Sequence, residues 1–298
     1  MVRASLHFGG QMSRKQATLI GFSAVALWAL LALFTVGSAP VPPLQLNAIC
    51  FAIGGAIGLV WVAATEGFGV LKRISWKVYA FGTVALFGYH LLYFSALRLA
   101  PPAEASLVAY LWPLLIVLFS GLLPGEKLRG LHVVGALIAF AGAALIVTRG
   151  GISARAEALP GYGLALLCAL TWSGYSLISR RLGQVPTAAV AVYCLATAAL
   201  SAVAHVALED TLWPVGARGW ISVLALGIGP VGLAFYTWDI GVKRGDIQML
   251  GTASYAAPLL STIALIVAGV AAASPVLVLA AAMIAAGAFL AAMAGRSR

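Results

Sequence analysis

Hydrophobic positions along this chain come in long unbroken runs rather than alternating with polar ones. Ten runs are separated by short polar breaks, at about 17–37, 45–65, 77–99, 102–123, 129–148, 160–180, 187–207, 218–242, 246–271 and 275–294. About 20 consecutive apolar residues cross the bilayer hydrocarbon as an α-helix. Barrel strands would alternate residue by residue. In lipid the backbone must satisfy its own hydrogen bonds, and continuous runs do so as helices. The pattern predicts an all-α integral membrane protein with ten transmembrane helices and no separate soluble domain. Residues 1–16 read as a polar, basic leader ahead of a run of full span length. Signal-peptide cores are shorter, about 7–15 residues, so this run is expected to stay as the first helix.

Composition agrees: 62% of residues are hydrophobic and 9% charged, against about 25% charged in a soluble domain. The net charge of +10 changes the picture only through its placement. With ten spans both termini share one side, which receives Arg3, Arg14, Lys15, Lys72, Arg73, Lys77, Lys127, Arg129, Arg180, Arg181, Lys243, Arg244, Arg296 and Arg298, fourteen of the eighteen basic residues. Arg98, Arg149, Arg155 and Arg218 fall on the other side. Positive excess marks cytoplasmic loops, so both termini are expected in the cytoplasm. The charge is a topology signal and not a nucleic-acid surface. Cys50, Cys168 and Cys194 lie apart within apolar runs, without metal-ligand or CxxC spacing. They read as small buried hydrophobes, and no metal or cofactor is expected.

The longest polar break, near 149–159, falls close to the middle of the chain. Displacing the sequence by about 145 residues pairs Arg98 with Lys243, Tyr110 with Tyr255 and Pro113 with Pro258; a one-residue shift pairs Trp28 with Trp172. Five spans per half is an odd number, so the halves 17–148 and 160–294 are expected to be repeats of opposite orientation. Such inverted repeats place a site between them near the bilayer midplane, here a central cavity.

Ionisable and hydrogen-bonding side chains inside spans are functional candidates. His90 lies mid-span, with Tyr89 beside it and Tyr93 one turn from Tyr89. The three fall within about 100° of arc on one helix face. Tyr110 and Pro113 share a face, and Tyr255 and Pro258 repeat it. Each proline frees the carbonyl four residues earlier, that of Ala109 or Ser254, and such breaks persist in membranes where protein or a water-lined cavity satisfies them. Pro230, flanked by Gly227, Gly229 and Gly232, is a further hinge candidate. Trp172 and Tyr175, at i and i+3, are too central for the interfacial aromatic belt to which Trp61, Trp76, Trp213 and Trp220 are assigned. Trp112 points away from Tyr110 on a regular helix and joins its face only if Pro113 distorts the turn. Asp239, one turn before Lys243, reads as a salt-bridge partner. Metalloprotease, P-loop and Ser-His-Asp patterns are absent from the sequence, and no paired intramembrane carboxylates offer acid–base chemistry. An enzyme is not expected, nor is ATP the driving force.

The ten spans, the five-plus-five repeat, the tryptophans in spans one and six and the Tyr-x-x-Pro pattern in spans four and nine together resemble the drug/metabolite transporter superfamily, in its EamA branch. The resemblance covers nearly the whole chain. The runs Tyr110-Leu-Trp-Pro113 and Gly88-Tyr-His-Leu-Leu-Tyr-Phe-Ser-Ala-Leu97 are similar to those of its aromatic amino acid exporters. It implies an inner-membrane carrier exporting amino acids, aromatic ones included, or similar small metabolites, by alternating access. It also implies a cavity lined by Tyr89, His90, Tyr110, Trp112, Trp172 and Tyr255; on this route Trp112 joins the site. A broad efflux carrier for cationic drugs is the alternative, since aromatic faces also attract cations. The expected partners are the small-molecule substrate and the lipid bilayer; monomer and homodimer are both open. A small-residue run, Ala280 to Gly287, is suited to helix contacts within one chain or between copies.

Overall fold

The computed structural model describes residues 12–148, 156–269 and 274–296. Most of the leader, most of the 149–159 linker and the end of the expected ninth span lie outside the described residues.

Each expected span is helical, and no strand occurs among the described residues. The helices are α1 (Arg14–Ala29), α2 (Leu31–Gly37), α3 (Pro43–Thr65), a short α4 (Gly69–Lys72), α5 (Trp76–Leu99), α6 (Pro102–Ala109), α7 (Trp112–Ser120), α8 (Gly130–Thr148), α9 (Leu159–Arg181), α10 (Ala189–Leu208), α11 (Gly216–Ile228), α12 (Ala234–Arg244), α13 (Ile247–Ala253), α14 (Ala256–Val267) and α15 (Pro275–Arg296). Local chemistry sets several starts. Ser13 and Gln16 close a reciprocal capping box at α1, which satisfies two otherwise orphaned N–H groups. Pro43 opens α3 at a position where no amide donor is needed. The Asp246 carboxylate caps α13 by accepting the Met249 N–H at 3.0 Å.

Seven helical stretches are long and apolar enough to cross a membrane by length and composition: 14–37, 43–65, 76–99, 156–181, 189–208, 216–244 and 275–294. The rest are shorter or interrupted. The stretch 102–120 is broken between α6 and α7, and 247–267 between α13 and α14, the two places flagged by Tyr-x-x-Pro. In 216–244 a π-helical turn, Gly229–Leu233, joins α11 to α12.

The interior is built from close pairs: α3 packs on α10, α8 on α15, α5 on α9, α1 on α12, and α7 on α13. Glycine permits two of these approaches. A Cβ on Gly287 of α15 would lie 2.4 Å from the Gly135 carbonyl oxygen of α8, and one on Gly21 of α1 would lie 2.8 Å from the Gly241 Cα of α12. The small-residue run of α15 is thus used within the chain. Large apolar side chains such as Val60, Val84, Leu122, Val206, Val267 and Val278 are exposed, as expected of a lipid-facing surface. Trp61, Trp76, Trp213 and Trp220 are exposed too, while Cys50, Cys168 and Cys194 are buried and unpaired. Both described ends of the chain lie at the connection between α7 and α8: Arg14 bonds Glu126, and Arg129 donates to the Ala294 carbonyl.

Candidate functional site

Eleven aromatic side chains and one imidazole meet where α1, α3, α5, α7, α9 and α12 converge. Trp28 of α1 is the hub. Its ring centroid lies 6.2 Å from Trp112, 5.7 Å from Trp172, 6.2 Å from Phe235 and 5.2 Å from Trp238. Most of these contacts are edge-on, the arrangement aromatic quadrupoles favour. Two of the four indole N–H groups are bonded: Trp28 Nε1 donates to the Pro230 carbonyl at 3.1 Å and Trp238 Nε1 to Ser176 Oγ at 3.1 Å. Pro230 therefore lies in the π-turn and is tied to α1 through its carbonyl.

His90 stands at the edge of this cluster. Its ring meets Phe51 edge-on at 5.0 Å and Tyr89 at 5.2 Å, with Phe94 and Phe235 slightly farther. Nδ1 lies 2.7 Å from the Leu86 carbonyl oxygen, one turn back on the same helix. A carbonyl only accepts, so Nδ1 carries a proton. In the neutral ring Nε2 is then an acceptor, and it has no hydrogen-bond partner among the described residues.

The Tyr89 and Tyr93 rings stack nearly parallel at 6.2 Å, and Tyr89 also leans on Trp172 at 5.5 Å. The Tyr93 hydroxyl bonds Ser106 of α6 at 3.0 Å, and Tyr110 lies near Tyr89 and Tyr93. Tyr89, His90, Tyr93 and Tyr110 are half-buried, whereas Trp112, Trp172 and Tyr175 are buried. Trp112 reaches the cluster because α6 stops at Ala109, and the chain turns through Tyr110 and Leu111 before α7 begins. The distortion that this residue required is present.

Two candidate residues are placed apart from the half-buried group. Tyr175 lies beneath Trp172, stacked on it at 5.1 Å and on Phe81 at 5.7 Å. Tyr255 is fully buried in another cluster, with Leu114, Val117, Ala139 and Ile284. Its ring meets Phe140 edge-on, and its hydroxyl accepts the Leu114 N–H at 3.0 Å. That amide belongs to the first turn of α7, where no helical carbonyl is available. The expected exposed carbonyl of Ser254 is corrected by the structure: it accepts the Ala257 N–H at 3.0 Å, because the chain tightens at the break. Pro258 is buried just inside α14, and Pro113 just inside α7.

Asp239 is bound to Lys243 Nζ at 2.8 Å and to the Thr187 hydroxyl at 2.7 Å. The expected salt bridge exists, more deeply buried than a loop-proximal pair would be. Sequence reasoning passed over Trp28, Trp238, Phe51 and Phe235 as site residues. Trp28 had a signal, since it is the lone tryptophan well inside its apolar run; Trp238 shares its run with Trp220 and lies near the end of it. Phe51 had none. No group of His, Cys, Asp and Glu suited to a metal occurs among the described residues.

The profile of the EamA-like transporter family matches this chain twice, over residues 15–148 and 159–293. The chain belongs to the EamA-like transporter family. This EamA protein is a multi-pass membrane protein of the drug/metabolite transporter superfamily, a transporter by family. It is 56% identical to the aromatic amino acid exporter YddG of Ancylobacter novellus over 96% of this chain and 100% of that protein. It is 26% identical to the aromatic amino acid exporter YddG of Salmonella typhimurium, over 84% of this chain and 88% of that one. A solved structure of 56% sequence identity superposes with a TM-score of 0.90 and covers 95% of this chain and all of its own.

Proposed function

We propose that this chain is a secondary transporter of the bacterial inner membrane that exports amino acids, aromatic ones among them, by alternating access through a central cleft. The observation that carries this reading is the half-buried group Tyr89, His90, Tyr93 and Tyr110 set against the Trp28-centred aromatic cluster. All four are surrounded by protein atoms and still partly accessible, which favours the wall of an internal cleft over a lipid-facing surface. An aromatic side chain would find ring edges and faces there. Its ammonium group would find acceptors in His90 Nε2 and the phenol oxygens, without a fixed charge to oppose it. The nearly full-length similarity to aromatic amino acid exporters supports the same substrate class.

The ten-span, five-plus-five architecture is part of the proposal. Two family matches of similar length support it, and so do the helix pairs. If the first and sixth spans correspond, and so on to the fifth and tenth, then the pairs α3–α10, α7–α13 and α8–α15 each join a span to its own repeat mate. The pair α1–α12 then maps onto α9–α5. A two-fold axis in the membrane plane predicts this pattern. Charge placement favours both termini in the cytoplasm.

Purified protein in proteoliposomes tests the reading. Loaded radiolabelled phenylalanine, tyrosine or tryptophan is expected to leave protein-containing vesicles faster than empty ones, and excess unlabelled aromatic amino acid to compete. Competition by cationic dyes alone, with no amino acid flux, would instead support the drug-efflux alternative.

A further inference from the structure

The two ends of the molecule are closed by different chemistry. At the end that carries both described termini, four charged groups from four separate elements meet. Arg14 opens α1, Glu126 lies in the connection between α7 and α8, Arg180 is at the end of α9, and Asp246 caps α13. Arg14 Nη2 bonds Glu126 Oε2 at 3.0 Å and lies 3.3 Å from Asp246 Oδ2. A short contact joins Arg180 Nη2 to Glu126 Oε1. The second guanidinium nitrogen of Arg180 donates to the carbonyls of Val242, Lys243 and Gly245 at 3.2, 2.9 and 2.8 Å. It thereby covers the last turn of α12, where helical carbonyls are left over. Gln248 of α13 adds a bond to the Lys127 carbonyl at 3.2 Å.

The Glu126 carboxylate is the shared anion of this assembly, and its side chain is only 3% exposed. A charge held so far from water persists only when paired and hydrogen-bonded. Burial alone raises the Glu126 carboxyl; the hydrogen bonds and charges of Arg14 and Arg180 outweigh it and hold the group below its usual range. Beneath the charges, Ile116, Ile247 and Leu250 are fully buried and continuous with the aromatic cluster. They fill the way from Trp112 to this end of the molecule.

We infer that Glu126 is the positioning residue of a latch that holds this end shut, and that alternating access requires Arg14 and Arg180 to release it. This rests on the transport reading above. Glu126 lies in the first family match, while Arg180 and Asp246 lie in the second. Relative rocking of the two matched halves therefore separates these partners before the apolar plug parts. Arg14 sits at the start of α1 and follows Glu126 or Asp246 according to which bond breaks first. At the opposite end, among the described residues, the buried Glu209 also joins the halves, but it caps α3 by accepting the Leu44 and Gln45 N–H groups and pairs with His205 and a largely exposed Arg98, rather than standing between two arginines.

The test is a distance measurement that needs no substrate. Nitroxide labels on Lys127→Cys and Gln184→Cys, both exposed, bracket the Glu126–Arg180 bond in full-length protein in lipid nanodiscs, with Cys50, Cys168 and Cys194 replaced by alanine. The parent is expected to show one short distance. Glu126→Gln should add a longer population, raising the open fraction about fivefold or more, and Glu126→Asp should restore the short one. Should Glu126→Gln fail to fold, Arg14→Gln, which removes one half-exposed cation, should raise the open fraction about twofold. An unchanged distance distribution in Glu126→Gln, or in Arg14→Gln when the first variant is lost, overturns the latch. Absence of amino acid flux through the parent would overturn the transport reading and leave this distance result standing.

Discussion

Tyr110 and Tyr255 each precede a proline by three residues, each at the point where an apolar helix is interrupted, yet the fold uses only one of them. The Tyr255 hydroxyl accepts the amide of Leu114, an orphan donor created by the other break, and the ring is fully buried. Tyr110 is half-buried beside Tyr89 and Tyr93, and its hydroxyl makes no hydrogen bond among the described residues. One break is therefore sealed by a side chain from the other, and the reciprocal seal is missing. A repeated motif does not carry a repeated role: one tyrosine completes the backbone at the other break, and its partner keeps a hydroxyl without a hydrogen bond among the described residues.

The largest effect that separates the two comes from removing the rings. Tyr255→Ala deletes a fully buried aromatic side chain and is expected to cost about 3–5 kcal/mol, the range for truncating a buried aromatic. Tyr110→Ala should cost about 1 kcal/mol or less and still fold. Thermal unfolding in detergent, followed by tryptophan fluorescence, checks both. Equal loss in the two variants would show that the breaks are supported alike.

Removing only the hydroxyls sharpens the same comparison. Tyr255→Phe leaves the Leu114 N–H buried without an acceptor, at about 1–3 kcal/mol, with flux falling only as far as folded protein is lost. Tyr110→Phe should leave the melting temperature in place and change flux per folded molecule. A second asymmetry lies at His90, whose position in the repeat is Phe235; both rings sit in one cluster, 6.3 Å apart. His90→Phe makes the two positions alike and deletes the free acceptor. We expect stability within about 1 kcal/mol and flux at least about tenfold lower, equivalent to ~1.4 kcal/mol. His90→Gln, which keeps an acceptor, should be intermediate. Flux through His90→Phe equal to the parent's would remove His90 from the site.

The helices were legible because each apolar run states its own length, and the breaks because proline and tyrosine are rare inside such runs. The cluster around His90 was partly legible: Tyr89, His90 and Tyr93 share a face by helical periodicity alone. Trp28 as the hub was not, since which residues face one another across helices depends on packing angles that no single run encodes. The roles of Tyr175 and Tyr255 were hidden for the same reason. Both carry the side chain of a binding residue, and their neighbours, Phe81 behind one and Leu114 beside the other, come from runs distant in the sequence. Glu126 lay in a connection that reads as an ordinary charged loop; its two arginines come from positions 112 and 54 residues away.

Glu126 extends the contrast between the two breaks, and gives the smallest expected effect. The connection after the first break carries this buried carboxylate, and no acidic residue follows the second break in the sequence. Because its folded pKa lies below the ordinary value, the stabilisation it contributes is present above the unfolded pKa and is lost only as pH falls through the folded one. Between about pH 6 and 8 the carboxylate stays charged in both states, and the stability of this end should not change. Below the ordinary carboxylate range the latch should loosen, and the parent's label distances should lengthen as they do in Glu126→Gln at neutral pH. Glu126→Gln itself should lengthen less on acidification than the parent, since only the Arg14–Asp246 contact is then left to lose. A parent that lengthens between about pH 6 and 8 would point to a group other than Glu126 as the one that holds this end shut.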